Sequence, residues 1–100
     1  MNLTFSYRGP IRRGERIECV EHIGNAMKPA GVRFDPPGAR DWFRLSYPDG
    51  RTVSVDEAEK LLDGNVTYPG GIELVMVFVV RDDAPEADDG RFTFSLCETS

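Results

Sequence analysis

The chain has 100 residues, 40% hydrophobic and 29% charged, with a net charge of −5. That length holds one modest core and excludes a second sizeable module, and the composition is that of a folded chain, not a disordered one. A pI near 4.8 weighs against a general nucleic-acid binder, and two cysteines, Cys19 and Cys97, are too few for a disulfide framework.

Taken in chain order, Leu3, Phe5 and Tyr7 alternate with Asn2, Thr4 and Ser6, which predicts a strand with one buried face. After Gly9-Pro10, the residues Cys19, Val20, Ile23, Ala26 and Met27 fall on one stripe at helical spacing and predict a helix over about 15–28. Residues 31–40, with two prolines and two glycines, read mainly as loop, with a short strand near Val32–Phe34. Pro48-Asp49-Gly50 predicts a type I turn closing a hairpin between strands at 41–47 and 51–55. Ser54 followed by Glu57 is a capping box, opening a short helix over about 55–63 that stops at Asp63-Gly64. The run IELVMVFVVR at 72–81 is apolar on both faces from Leu74 on and predicts a central strand covered on two sides. Phe92, Phe94 and Leu96 alternate into a last strand.

This order predicts a single α+β domain over 1–100: a two-layer sandwich whose mostly antiparallel sheet has four to five strands, one longer helix and one short one. The stretch DDAPEADDG, residues 82–90, sits between the last two strands and reads as an acidic, flexible hairpin loop. Neither an apolar leader nor a run long enough to span a bilayer is present, which points to the cytoplasm and away from a membrane.

Charge divides along the chain: residues 1–55 carry a net +3 and residues 56–100 a net −8. If the halves separate in space the molecule is a dipole; if the strands interleave the asymmetry cancels. Three candidate surfaces follow. The carboxylates Asp82, Asp83, Glu86, Asp88 and Asp89 could meet a basic partner surface or imitate nucleic-acid phosphates, but they lack the spacing of a calcium loop. Trp42 and Arg44 would share the polar face of the hairpin, the composition of a protein-binding hot spot. Arg8, Arg12, Arg13 and Arg16 offer guanidinium groups for an anion or nucleic acid. A fourth pattern, Cys19 and His22 on one helical face, has the residue types of a thiol nucleophile with its base or of two zinc ligands.

No pattern among these supplies a complete catalytic or metal constellation, so no catalytic residue, cofactor or metal is assigned. The leading expectation is a small acidic protein-binding module, an inhibitor, adaptor or immunity-type factor of a bacterium or phage, that occupies a basic surface on another protein. Binding of nucleic acid or an anionic ligand through the N-terminal arginines is the alternative and a small enzyme using Cys19 and His22 a further one; the sequence leaves a homodimer through an exposed strand edge open.

Overall fold

The computed structural model describes residues 2–63 and 65–98; the helix stop expected at Gly64 lies outside them. Among the described residues seven strands form two antiparallel sheets: β1 (Asn2–Ile11), β2 (Arg16–Ile23), β3 (Pro29–Asp35), β4 (Phe43–Ser46), β5 (Thr52–Ser54), β6 (Ile72–Val80) and β7 (Ala87–Glu98). One sheet runs β1-β7-β3 and the other β2-β6-β4-β5. A 3-10 turn, Pro37–Trp42, precedes β4, and a single α-helix, α1 (Val55–Leu62), follows β5. The α+β class and antiparallel pairing agree with the sequence. The expectation of one sheet with four to five strands does not, because the 15–28 segment is extended and β7 belongs to a different sheet from β6.

Of the segment expected as a helix over 15–28, residues Arg16–Ile23 form β2, and Met27 makes an isolated bridge with Tyr68. Ile17, Cys19 and Ile23 are buried, while Arg16, Glu18, Val20 and His22 are exposed, so its period is two. Val20 produced the false helical stripe: an apolar side chain on the outer face of a strand reads, one residue from Cys19, like a helical neighbour. What decides the conformation is β6, which pairs with β2 over eight consecutive positions from Arg16↔Val79 to Ile23↔Ile72 and supplies ladder hydrogen bonds that a lone amphipathic helix there would forgo.

Other local expectations hold. Tyr47 and Arg51 bond across the Pro48-Asp49-Gly50 turn, where Gly50 takes a positive φ of 92°. The Ser54 hydroxyl accepts the Glu57 amide at 3.1 Å and caps α1. The loop-rich reading of 31–40 is corrected in its first half: β3 extends to Asp35 because β7 offers it a ladder partner.

The sheets meet through phenylalanine. All six are buried, Phe5, Phe34, Phe92 and Phe94 from one sheet and Phe43 and Phe78 from the other. Rings cross the gap from Phe78 to Phe92 at 5.3 Å and to Phe94 at 5.2 Å, and from Phe43 to Phe92 at 4.5 Å. These separations suit edge-to-face and tilted aromatic packing, which adds to the burial of the rings. α1 packs against β3, β4 and β5, and its Glu59 carboxylate accepts the backbone amide of Val32 at 3.0 Å. Glu59 thereby occupies one bonding position on β3, an edge strand of its sheet.

Candidate functional site

Two of the predicted surfaces turn out to be one place. β1 pairs with β7, with Arg8 across from Arg91 and Ile11 across from Ala87. The basic N-terminal segment therefore lies beside the acidic one. Arg8 holds Asp89 through two bonds of 3.1 and 3.2 Å. Arg12 pairs with Asp88, whose hydrogen bond and charge push the guanidinium pKa further up. Arg13 donates its backbone amide to Glu86 at 3.1 Å and its side chain to the carbonyl of Ala84 at 2.8 Å. The expected acidic hairpin loop at 82–90 is corrected on two counts. Residues 82–86 cross from one sheet to the other instead of closing a hairpin, and Asp88 and Asp89 already belong to β7. Strand pairing between the ends of the chain sets Arg8, Arg12 and Arg13 against the acidic stretch. These ion pairs are exposed, so each adds little to stability: Asp89→Asn is expected to lower unfolding stability by no more than about 1 kcal/mol at low salt, a difference that fades at high salt in denaturant titrations.

Arg16 departs from its three neighbours. It begins β2 on the outer face of the four-stranded sheet and reaches over β6 to the Ser46 hydroxyl at 2.9 Å. The register places four rows on this face: Arg16, Val79 and Arg44; then Glu18, Val77 and Ser46; then Val20 and Val75; then His22 and Glu73. Val20 is 50% exposed and Val75 49%. The two-sided burial expected of 72–81 is thus corrected: Phe78 and Val80 enter the core, while on the other face Val75 is exposed and Val77 and Val79 are half-buried. The other sheet is the control. Its outer face carries Thr4 opposite Ser95, whose hydroxyls bond at 3.1 Å, and Ser6 opposite Thr93, a polar surface suited to water.

Two shallow depressions lie along the stripe. One, of about 300 Å³, is floored by Val75 and Val77 and bounded by Arg16, Ser46 and the Tyr47–Gly50 turn. The other, of about 550 Å³, is lined by Gly14, Arg44, Val79, Arg81, Asp82 and Asp83. Arg44 leans on Thr52, at 3.3 Å to its hydroxyl and 3.2 Å to its carbonyl. Arg81 holds Asp83 at 3.2 Å. Arg44, Asp82 and Asp83 thus lie together at one end of the valines. Trp42 does not join Arg44 as a strand neighbour. It ends the 3-10 turn, half-buried against the core with its ring 6.0 Å from that of Phe43.

Cys19 and His22 fall on opposite faces of β2, Cys19 buried and His22 exposed, because three residues along a strand reverse the side-chain direction. The single-face arrangement expected from a helix is corrected accordingly, and burial pushes the Cys19 thiol pKa up, away from the thiolate form. Among the described residues no three His, Cys, Asp or Glu side chains converge as metal ligands do, and no helix is long and apolar enough to cross a membrane.

Sequence reasoning missed Val20, Val75, Val77 and Val79 as surface residues. The signal was present: Val75, Val77 and Val79 share one parity, and Val20 aligns with Arg16, Glu18 and His22 once 16–23 is read as a strand. Compared with protein-family models, with curated proteins and with solved structures, the chain gives no match in any of the three.

Proposed function

We propose that the chain is a protein-binding module, of the inhibitor or adaptor kind, acting in the cytoplasm through the outer face of its four-stranded sheet. The observation that carries this reading is the exposure of Val20 and Val75, continued by the half-buried Val77 and Val79, on a sheet face that a solvated domain would make polar. Its partner presents an apolar centre for the valines. A basic group on that partner meets Asp82 and Asp83 at the end of the stripe, the part of the acidic segment least engaged by the chain's own N-terminal arginines. Arg44 and Arg16 flank the apolar centre, as arginines do in interface hot spots. The acidic patch has become smaller than the sequence suggests, since Glu86, Asp88 and Asp89 are each held by the N-terminal segment.

The test is positional. A photoreactive benzoylphenylalanine replacing Val75 is expected to crosslink a partner that the same group replacing Thr4, on the polar face, does not reach. Charge reversal of Asp82 and Asp83 should reduce the yield. Equal products from the two positions would remove this reading.

A further inference from the structure

The edge strands are β1 and β3 in one sheet and β2 and β5 in the other, and all but one carry a device against a further strand. β1 is broken by Pro10 and a register shift between Gly9 and Ile11, the Val32 amide on β3 is taken by Glu59, and β5 is three residues long. β2 has none of these. It runs eight residues without proline and in unbroken register with β6, and among the described residues no strand pairs with its other side. One step before the ladder's first pair, Arg16↔Val79, the Glu15 carbonyl accepts the Val80 amide at 2.9 Å. Alternation from that bond turns the amides and carbonyls of Ile17, Cys19, Glu21 and Ile23 toward β6 and those of Arg16, Glu18, Val20 and His22 away from it. The last four residues are all exposed.

We propose that β2 pairs antiparallel with β2 of a second copy, joining the two four-stranded sheets into one of eight strands. The two-fold axis stands perpendicular to the sheet and passes through Val20. Only registers that set these outward-facing residues opposite one another can form the ladder, each such pair exchanging two backbone hydrogen bonds. Centred on Glu18, the pairing would set that carboxylate against its own copy, a like-charge contact. Registers centred on Cys19 or Glu21 leave Glu18 opposite Val20 or Gly24. Centred on Val20, the pairing sets valine on valine and Glu18 opposite His22 twice over by symmetry, so that each carboxylate can accept an imidazole N–H. On the inner side the same register brings Ile17 opposite Ile23, again twice, with Cys19 opposite Glu21 between them.

The pairing rests on the backbone of β2, not on what binds the sheet face. It leaves that face open and extends it, because Val75 and Val20 of one copy then continue into Val20 and Val75 of the other as one row across adjacent strands. A partner with two matching sites would engage both copies at once and gain avidity. A contact of this modest kind is expected to dissociate on the order of 10 µM.

Sedimentation equilibrium on the full chain is the test. Wild type is expected to pass from the 11.2 kDa chain mass to twice that value with rising concentration. Val20→Pro removes an amide that β6 does not use, so it should stay folded by circular dichroism yet remain at the chain mass. Glu18→Lys should weaken the dimer roughly tenfold, and E18K/H22E should restore it by rebuilding the pair with its signs exchanged. Mild oxidation of Val20→Cys should give a disulfide-linked dimer absent from wild type, since residues opposed in such a pair lie about 5.5 Å apart. Val75→Cys should give none, because three strand spacings, about 14 Å, separate the two copies of β6. A monomeric wild type at about 100 µM, a Val20→Pro variant that still dimerises, an E18K/H22E variant no tighter than Glu18→Lys, or a disulfide from position 75 and not from position 20 would each overturn the proposal. A monomeric wild type would leave the crosslink from position 75 to a different protein unaffected, whereas loss of that crosslink would leave the edge pairing standing.

Discussion

Replacing Phe78 with alanine is expected to lower the unfolding free energy by about 3–5 kcal/mol, the range for removing a fully buried phenylalanine. Phe78 has no exposed surface, and its ring lies within 5.2 to 6.3 Å of Phe34, Phe43, Phe92 and Phe94. Three of those rings come from the other sheet, so the cavity would open at the junction between the two layers. Neither sheet could close it without changing its own twist, which puts the cost toward the upper end. For a domain of this size the melting temperature should fall by roughly 15–30 °C, measured by calorimetry or by near-ultraviolet circular dichroism. A drop below about 1 kcal/mol would mean that the two sheets do not share this core.

The second large effect belongs to Glu59. Its carboxylate receives the Val32 amide and is bonded by Arg40, which also holds Asp56 at 2.9 Å. Glu59→Ala leaves the partly buried Val32 amide without its acceptor and the Arg40 guanidinium with Asp56 alone, and should cost about 1–2 kcal/mol, a figure kept low because a third of the side chain meets solvent. The Val32 amide foremost, with Arg40 behind it and burial acting against both, holds the Glu59 carboxyl below the usual carboxylate range. A folded-state pKa below the unfolded one contributes stability that is fully present above about pH 5 and is lost as pH falls through the folded value. Denaturant titrations of wild type and Glu59→Gln should therefore differ by a constant amount near neutral pH and by progressively less as the pH falls through the folded-state value. A difference independent of pH would assign the effect to packing alone.

The legible parts of this fold are those decided by neighbours in sequence. The alternation of Leu3, Phe5 and Tyr7, the Pro48-Asp49-Gly50 turn and the Ser54 cap each act within a few residues, and each forms as its spacing implies. The illegible parts depend on partners far along the chain. Residues 16–23 become a strand because Ile72–Val80 pairs with them, and that pairing leaves no trace in the local spacing once Val20 blurs the alternation. The contact of Arg8 and Arg12 with Asp89 and Asp88 spans 81 and 76 residues, so composition could pose the choice between dipole and cancellation without resolving it. For the candidate site, Arg44, Asp82 and Asp83 were identifiable as charged surface residues. The valines beside them share one parity in the sequence, but their exposure does not follow from it, because an apolar strand in one chain looks the same whether its second face is covered by that chain or left for another.

The place of β7 also bears on how the chain is made. It is the last strand in sequence and the middle strand of its sheet, with β1 on one side and β3 on the other. A nascent chain that has emerged only through residue 86 carries six of the seven strands, yet β1 and β3 have nothing between them. Two of the six core phenylalanines, Phe92 and Phe94, arrive only with β7, so synthesis from the N-terminus yields no stepwise accumulation of this domain. Folding is expected to be a single late event dominated by contacts between distant segments, and slow for a chain of this length.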